Sequence, residues 1–480
     1  MLLDDDHCYR ALRTHDRRFD GRFFVGVAST GIYCRPVCTA RTPLRRNCAF
    51  FPSAAAAEAD GFRPCLRCRP ELAPGYAVVD ANRRLAQGAA RLIDDGRLED
   101  ARLPALATTL GVSDRHLRRV FQDEFGVAPV AYAQTQRLLL AKRLLSDTAL
   151  PVTEVAMASG FASLRRFNHL FRERYRMTPM ELRRRAVPRG DADALAFDLG
   201  FRPPYDWESM LDFLAKRAIP GVEAIGAGRY RRTLAIDSGA RRHAGWMEAA
   251  PVKGRPLLRV TLSASLSAAI PAVLARAKLL FDLAGHPEDV AATLGPLAAA
   301  RPGLRLPGAA DGFEVAVRAI LGQQVTVRAA TTIAGRFALA FGEPFATRHA
   351  TLTHLFPHAA RVFALDAAEV AAQGIIASRA RAIVALAREV HEGRLRLDPS
   401  ANVEATIAAL EAIPGVGPWT AQYIAMRALA WPDAFPHPDV AVLKALAQRT
   451  PALALGAAEA WRPWRAYAVM HLWKSLEVSP

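Results

Sequence analysis

Apolar and polar positions follow two different periodicities along this chain of 480 residues. Over residues 79–182, apolar side chains recur at helical spacing in short segments that glycine-containing turns separate. Residues 257–262 alternate apolar and polar side chains, which is typical of a strand. From about residue 308 onward the helical spacing returns. The pattern predicts a multidomain protein that is mostly α with α+β parts.

Three changes in composition divide the chain. Prolines and a glycine follow the cysteine-rich segment at 69–75, and the basic run at 183–190 indicates a linker or a basic helix end. The third change is the return to helical spacing. We predict four domains: a small α/β module at 1–75, an all-α domain at 79–186, an α+β domain at 192–300 and an all-α domain at 301–480.

The charge of the chain is strongly basic. Lys and Arg number 63 against 46 Asp and Glu, a net charge of +17, and the excess is concentrated in the first 190 residues. Such an excess indicates a polyanionic partner, most simply nucleic acid. An arginine-rich proteome of high GC content would explain it equally well.

No part of the sequence predicts export or a membrane partner. The first residues, MLLDDDHCYR, lack the apolar core of a secretory signal, and no apolar run approaches the roughly 18 residues of a membrane span. Cysteines confined to one cluster favour a reducing compartment over a disulfide scaffold. We therefore expect a cytoplasmic protein.

All six cysteines fall within the first 68 residues, and four of them form a pattern with metal-ligand spacing. Cys34 and Cys38 are separated by three residues, and Cys65 and Cys68 by two, which suits a tetrahedral zinc site. Four thiolates around one zinc ion could serve structure alone or could form an electron-rich nucleophile. Cys8 and Cys48 lack partner spacing.

Residues 29–41 (STGIYCRPVCTAR) and 61–70 (GFRPCLRCRP) resemble the zinc domain of the Ada family of DNA-alkylation sensors. The resemblance implies one Zn²⁺ held by the four cysteines, and irreversible transfer of a methyl group from a DNA methylphosphotriester to Cys34. We expect the surrounding phosphates to be held by arginines: Arg35, Arg41, Arg45, Arg46 and Arg67. The alternative is a zinc knuckle that only stabilises the fold.

Two helix-turn-helix patterns follow. In the first, Ser113 can cap a helix that carries Arg115 and Arg118; in the second, Ser163 leads into Arg165 and Arg166. Long donors near a helix N-terminus suit base edges and phosphates. With residues 171–179 (FRERYRMTP), the tandem resembles the AraC-type DNA-binding domain, which implies promoter DNA and RNA polymerase as partners. The alternative is a plain helical bundle with a solvated basic face.

The C-terminal part carries a second motif set. Residues 413–421 (IPGVGPWTA) predict a helix, a hairpin and a helix, where Gly415 and Gly417 let backbone N–H groups approach a phosphate. With residues 435–439 (FPHPD) they resemble the helix-hairpin-helix base-excision glycosylases. The closer resemblance, to the AlkA 3-methyladenine glycosylases, covers most of 195–475, including PPYDW at 203–207, ARPGLRLPG at 300–308, RAILGQQV at 318–325 and WRPWRAY at 461–467.

This resemblance assigns roles to individual residues. Asp439 would be the carboxylate that stabilises an oxocarbenium-like sugar or orients water. Trp419, Tyr423 and Trp473, with Phe213, would line a pocket for a flipped cationic base. Aromatic residues scattered in this way are otherwise ordinary core.

The chain also departs from the family pattern. Gln324 stands where an apolar leucine wedges into the duplex, and Pro438 stands where a second Asp precedes the catalytic one. Trp419 stands where bifunctional glycosylases carry a lysine, so we expect no strand-nicking lyase activity. The absence of cysteine after Cys68 excludes an iron–sulfur cluster. No Pro-Cys-His acceptor motif for O6-methylguanine is present.

We therefore expect a monomeric, bifunctional alkylation-damage response protein. It would couple methyl transfer at Cys34 to sequence-specific regulation, and excise alkylated purines from double-stranded DNA as a monofunctional 3-methyladenine glycosylase. The alternative is a transcription regulator whose glycosylase half is inactive and only binds DNA.

Overall fold

The computed structural model describes residues 4–16, 19–73, 81–95, 103–185, 193–238 and 241–477. The first part is a small sheet with two helices: α1 (Asp5–Arg13), β1 (Phe24–Val27), β2 (Ile32–Cys34), β3 (Cys48–Phe51), α2 (Ala54–Ala59) and β4 (Arg63–Pro64). The strand order is β3-β1-β2-β4, and β2 pairs with β4 in parallel. Because parallel strands end at the same edge of a sheet, Cys34 and Cys65 are brought side by side.

The second part is all-α. Its helices are α3 (Ala81–Asp94), α4 (Leu103–Thr109), α5 (Asp114–Phe125), α6 (Pro129–Asp147), α7 (Val152–Ala158), α8 (Leu164–Tyr175) and α9 (Pro179–Arg185). Ser113 and Ser163 cap α5 and α8, since their hydroxyls accept from the backbone N–H groups of His116 and Arg166. Both helix-turn-helix predictions are confirmed. The basic run at 183–190 continues α9 to Arg185, and its remainder lies outside the described residues.

The third part is built on a five-stranded antiparallel sheet of order β5-β9-β8-β7-β6. Its elements are β5 (Ala194–Gly200), α10 (Trp207–Ala215), β6 (Glu223–Gly226), β7 (Arg229–Ser238), β8 (Arg241–Pro251), β9 (Leu257–Ser263), α11 (Ile270–Leu280), α12 (Pro287–Leu294) and α13 (Pro296–Ala299). The predicted strand at 257–262 lies within β9, where Leu258, Val260 and Leu262 are buried and Arg259 is exposed.

The fourth part is helical, as predicted, with one short two-stranded ladder between β10 and β11. Its elements are α14 (Gly312–Leu321), α15 (Val327–Phe341), β10 (Glu343–Pro344), β11 (His354–Leu355), α16 (Ala359–Phe363), α17 (Ala367–Ala371), α18 (Ala377–His391), α19 (Val403–Glu411), α20 (Pro418–Arg427), α21 (Val440–Ala445), α22 (Pro451–Ala458) and α23 (Arg465–Ser475). The predicted hairpin joins α19 to α20, which begins with Gly417 as its N-cap. No helix within the described ranges is long and apolar enough to cross a bilayer.

The hydrophobic cores do not coincide with the domain boundaries predicted from the sequence. The first helix-turn-helix pair shares a core with α2, in which Ala55 and Ala56 join Leu117 and Phe121. The second pair belongs to the large core of the C-terminal half, where Phe167 is buried in the same cluster as the sheet. Helix α6 contributes to both cores, since its N-terminal part lies in the first and residues 138–145 lie in the second.

Candidate metal centre and candidate active site

The four predicted cysteines lie together at one edge of the small sheet. Cys34 ends β2, Cys65 follows β4, and the sulfur atoms of these two with those of Cys38 and Cys68 all lie within 4.8 Å of one another. The first three are buried and Cys68 is partly exposed. The backbone N–H of Arg35 donates to the sulfur of Cys68 at 3.4 Å.

The chemistry of this set fits a zinc ion. A hydrogen bond with Cys38 raises the pKa of the Cys34 thiol, and one with Cys34 raises the pKa of Cys68. Four crowded thiols therefore do not ionise together without a cation among them. Four thiolates in tetrahedral arrangement are a preferred ligand set of structural Zn²⁺.

The arginines near this centre differ in availability. Arg41, Arg46 and Arg67 are exposed. Arg35 is 6% exposed and forms a bidentate ion pair with Asp20, so the expectation that it holds DNA phosphates is wrong. The Arg35 guanidinium instead fixes the turn between Cys34 and Cys38, because its Nη1 also donates to the Cys68 carbonyl at 3.1 Å.

A buried polar link joins the metal centre to α6. The Tyr33 hydroxyl donates to Glu58 Oε1 at 3.0 Å, and Thr135 Oγ1 of α6 donates to Oε2 at 3.1 Å. Arg174 of α8 donates to the Glu58 carbonyl at 3.0 Å. Burial raises the pKa of Glu58 to about 7, against the opposing effect of its two hydroxyl donors. Glu58 could not be predicted from the sequence, because an alanine-rich segment with one acid predicts a solvated helix.

The predicted DNA-reading residues lie on exposed faces. Arg115, Arg118, Arg165 and Arg166 are exposed in the N-terminal halves of α5 and α8. Arg118 pairs with Asp114 at 3.1 Å. The opposite faces of the two helices are buried, so their side chains are available to a ligand on the outer face only.

Asp439 is the N-cap of α21, and its carboxylate is held by three donors. Oδ1 accepts from the Val442 N–H at 2.9 Å and from Trp473 Nε1 at 3.1 Å. Oδ2 accepts from Trp419 Nε1 at 2.8 Å. Pro438 has no N–H to add a fourth. The carboxylate therefore has one fixed orientation between the two indoles.

The predicted aromatic residues form one connected cluster around Asp439. Trp419 stacks on Tyr423 with ring centroids 5.4 Å apart, and Tyr423 lies 6.3 Å from Trp473. Phe213, which α10 contributes from the third part of the chain, lies parallel to Trp473 with centroids 6.3 Å apart. All four are thus brought together by three helices that are far apart in sequence.

Gln324 lies at the tip of the turn between α14 and α15. It is exposed and has a left-handed backbone with φ of 52°, which is uncommon for a residue with a side chain. Its neighbour Gln323 ties the turn to the hairpin, since Nε2 donates to the Gly415 carbonyl at 2.8 Å and to Thr420 Oγ1 at 2.9 Å. Arg379 of α18 donates to the Gln323 carbonyl.

The hairpin glycines meet different requirements. Gly415 has φ of 93°, a conformation that glycine adopts without strain. Gly417 has ordinary φ, and a Cβ there would meet nothing within 4 Å, so its backbone faces open space at the start of α20.

Two arginines contact the aromatic cluster, and sequence analysis did not single them out. The Arg217 guanidinium lies 3.8 Å from the Phe213 ring centroid, and that of Arg427 lies 5.0 Å from Phe213 and 5.7 Å from Tyr423. Each arginine follows its aromatic partner by four residues; in α20 this spacing places Tyr423 and Arg427 on one helix face, and Arg217 lies just after the end of α10.

Comparison with known proteins agrees with this arrangement. Four family models match: the metal binding domain of Ada at residues 7–71, a helix-turn-helix domain at 106–185, the AlkA N-terminal domain at 196–311 and the HhH-GPD superfamily base excision DNA repair protein at 317–451. Fold and sites together define a base-excision DNA glycosylase joined to an Ada-type zinc module and a helix-turn-helix reader.

Individual relatives support the same class. The chain is 40% identical to the probable bifunctional transcriptional activator/DNA repair enzyme AlkA of Mycobacterium tuberculosis, over 99% of this chain and 97% of the relative. It is 39% identical to DNA-3-methyladenine glycosylase 2 of Escherichia coli, over 58% of this chain and 96% of that protein. The chain therefore belongs to the family of bifunctional transcriptional activator/DNA repair enzymes of the AlkA type, and the predicted domain combination is confirmed.

A solved structure adds support for the fold. The 3-methyladenine DNA-glycosylase of Archaeoglobus fulgidus superposes with a TM-score of 0.51 over 59% of this chain and 99% of its own, at 19% sequence identity. The Ada-type domain and the four clustered cysteines give the chain one Zn²⁺ site.

Proposed function

We propose that this protein excises alkylated bases from DNA at Asp439, and that it accepts methyl groups from DNA methylphosphotriesters at Cys34. The observation that carries the first activity is the carboxylate fixed between two indoles inside the aromatic cluster. The relative from Escherichia coli carries the name of a 3-methyladenine glycosylase, which supports the same reaction here.

Excision uses a flipped base and a fixed negative charge. The base stacks on the rings of the cluster while the sugar lies over Asp439. As the bond between C1′ and the base nitrogen breaks, its electron pair leaves with the base, and the sugar becomes an oxocarbenium-like cation that the carboxylate stabilises. Water then adds at C1′ and gives up one proton to the Asp439 carboxylate, so that the products are a free base and an abasic site. Because no lysine stands at Trp419, the strand remains intact.

Methyl transfer needs a thiolate next to a neutral phosphotriester. The Cys34 sulfur attacks the methyl carbon, an S–C bond forms, and the C–O bond breaks with its electron pair left on the phosphate oxygen. When bound, zinc supplies a Lewis acid that keeps the four thiols deprotonated at neutral pH. The exposed Arg41, Arg46 and Arg67 hold neighbouring phosphates. Loss of one negative charge on methylation strengthens binding to DNA.

The helix-turn-helix domain would connect methyl transfer at Cys34 to transcription. Arg115, Arg118, Arg165 and Arg166 contact promoter DNA, and RNA polymerase is the further partner of an activator. We propose that the protein acts as a monomer in the cytoplasm, where its DNA substrate lies.

The deciding experiment measures release of 3-methyladenine and 7-methylguanine from methylated duplex DNA. Wild type should release both, and Asp439→Asn should release neither while still binding a duplex with an abasic analogue. Asp366→Asn is the matched control, because Asp366 also caps a short helix, and it should behave as wild type. If wild type released neither base, the protein would be a regulator whose C-terminal half only binds DNA.

The methyl acceptor is tested separately. Cys34→Ala should abolish transfer of a labelled methyl group from phosphotriester DNA and leave excision unchanged. Cys48→Ala removes a buried thiol outside the metal set and should leave transfer intact. Transfer to the Cys34→Ala protein would refute this acceptor.

A further inference from the structure

The aromatic pocket is in contact with two positive charges. Arg217 is only partly buried and lies with its guanidinium 3.8 Å from the Phe213 ring centroid, while Arg427 lies 5.0 Å from the same ring. A base packs against an aromatic ring at about 3.5–4 Å. A base that stacks on Phe213 would therefore lie within roughly 8 Å of the Arg217 guanidinium.

Among the described residues, no carboxylate lies within 4.0 Å of either guanidinium. Arg427 donates to neutral oxygens, namely the carbonyls of Pro307 and Gly308 and the Tyr423 hydroxyl, each at 2.9 Å. Arg217 donates to the Phe213 carbonyl at 3.3 Å. The nearby Arg318 differs, because Glu223 and Glu314 accept from it. Two positive charges without an ion-pair partner within 4.0 Å among the described residues thus lie beside the rings.

The pocket wall responds to these charges. Burial alone would raise the pKa of Tyr423, but the positive charges of Arg427 and Arg217 outweigh burial and lower it to about 8. Their field therefore reaches the ring on which a base would stack.

The two arginines differ in what else they do. Arg427 is 3% exposed and anchors residues 307–308 to α20, so it is part of the pocket's construction. Arg217 follows α10, donates to the Phe213 carbonyl of its own turn at 3.3 Å and also interacts with the side chain of Tyr423 on α20. The Arg217 guanidinium is thus placed against the aromatic wall of the pocket.

We propose that Arg217 is a specificity-determining residue, whose positive charge shifts excision away from permanently cationic alkylated bases and toward neutral damaged bases. The inference rests on the proposed glycosylase function of this pocket and adds a residue that sets its preference among substrates.

The direction follows from the charge that moves when the glycosidic bond breaks. A base alkylated at a ring nitrogen, such as 7-methylguanine, enters the pocket with a positive charge that the guanidinium repels. A neutral base, such as hypoxanthine, takes the electron pair of the breaking bond and develops negative charge, which the guanidinium stabilises. A unit charge at about 8 Å in a partly screened site changes the ratio of the two rates by roughly tenfold.

The experiment compares single-turnover excision of 7-methylguanine and hypoxanthine placed in the same duplex. Arg217→Gln should raise the ratio of the 7-methylguanine rate to the hypoxanthine rate by about tenfold, and Arg217→Lys, which keeps the charge, should stay near wild type. Arg361→Gln removes one charge from an exposed position on α16 and should leave the ratio unchanged.

The excision ratio of the Arg217 variants tests the proposed role of this charge. An unchanged ratio in Arg217→Gln, or an equal fall in both rates, would overturn the proposal and leave Arg217 a packing residue. If Arg217→Gln did not fold, Arg217→Met, which retains the apolar stem on Phe213, would be judged by the same ratio against Arg217→Lys. Failure of the proposed function is a different result, because wild type itself would then release neither base.

Discussion

Asp439 is unusual among capping residues because both of its oxygens are also bound by indoles. One oxygen serves the helix cap and Trp473, and the other serves Trp419 alone. The two tryptophans that line the pocket therefore also fix the orientation of the Asp439 carboxylate beneath the sugar.

Trp419→Phe should slow excision by about tenfold while leaving helix α21 intact. The substitution keeps an aromatic face for stacking but removes one hydrogen bond to a charged group, which is typically about 1.5–3 kcal/mol. Single-turnover release of 7-methylguanine measures the effect, and Trp431→Phe, a partly buried tryptophan of the same domain, is the control. An unchanged rate would show that Asp439 does not depend on this donor.

Tyr423 gives the pocket a pH-dependent charge. The groups that face it are Arg427 of its own helix, Arg217 after α10 and Arg318 of α14, which is itself paired with Glu223 and Glu314. Because the pKa of Tyr423 is lowered to about 8, raising the pH from 7 to 9 converts it to the anion.

The ratio of 7-methylguanine to hypoxanthine excision should therefore rise across pH 7–9, since the new negative charge favours the cationic base. Tyr423→Phe should show a flat ratio over the same interval. A rise that persisted in Tyr423→Phe would assign the titration to another group.

At the scale of elements, the turn between α14 and α15 is held by hydrogen bonds to the hairpin and to α18. Gln323 joins it to the hairpin and Arg379 joins it to α18. The residue that would enter the duplex and the backbone that would hold the phosphate are thus fixed relative to each other.

Gln323→Leu should weaken binding to a duplex with an abasic analogue by about five- to tenfold, because two hydrogen bonds between turn and hairpin are lost. Titration of labelled duplex measures the loss. Gln373→Leu, on the turn after α17, is the control. Equal affinity in the Gln323 variant would mean that the turn is placed by packing alone.

Helix α6 and the buried Glu58 define another element-scale property. The folded-state pKa of Glu58 is raised from 4.5 to about 7, so the folded protein holds this proton more tightly than the unfolded chain does. The resulting stability is fully present below pH 4.5 and is lost as the pH rises through 7.

Glu58→Gln should therefore flatten the decline in stability between pH 5 and 8, a decline of up to about 3 kcal/mol in the wild type. Urea unfolding followed at several pH values measures it. Glu154→Gln on the exposed face of α7 is the control and should follow the wild-type profile. A parallel decline in Glu58→Gln would contradict this account.

The elements themselves could be predicted from local patterns. Ser113 before a helix, alternation in residues 257–262 and the glycines at 415 and 417 each act within a few residues, and the structure has the expected element at each place. What local patterns could not give is pairing over distance. Phe213 meets Trp473 across the whole C-terminal half, and Arg35 turns inward because Asp20 lies beside it.

At the scale of the whole molecule, the two halves are packed together yet chemically separate. Arg143 of α6 donates to the Asp198 carbonyl at 2.7 Å, and Arg396 donates to the Thr109 carbonyl at 3.1 Å. The cysteine cluster nevertheless has its own small core, distinct from the one that holds the pocket.

Removal of zinc by a chelator should abolish methyl transfer and change the rate of base excision by less than twofold. The reason is that none of the metal ligands belongs to the core around Asp439. Excision by chelated and zinc-restored protein, measured on the same duplex, checks this. A parallel loss of excision would show that the metal centre supports the pocket through α6.

The helix-turn-helix domain is divided between two hydrophobic cores, and this limits how the domains of such proteins can be exchanged. The family match for the helix-turn-helix domain ends at residue 185, yet Phe167 and Phe171 are packed in the same core as strand residues such as Phe197. A chimera joined at that boundary would separate Phe167 and Phe171 from the sheet residues of their own core. The unit that can be exchanged between relatives is accordingly larger than the unit that sequence comparison marks out.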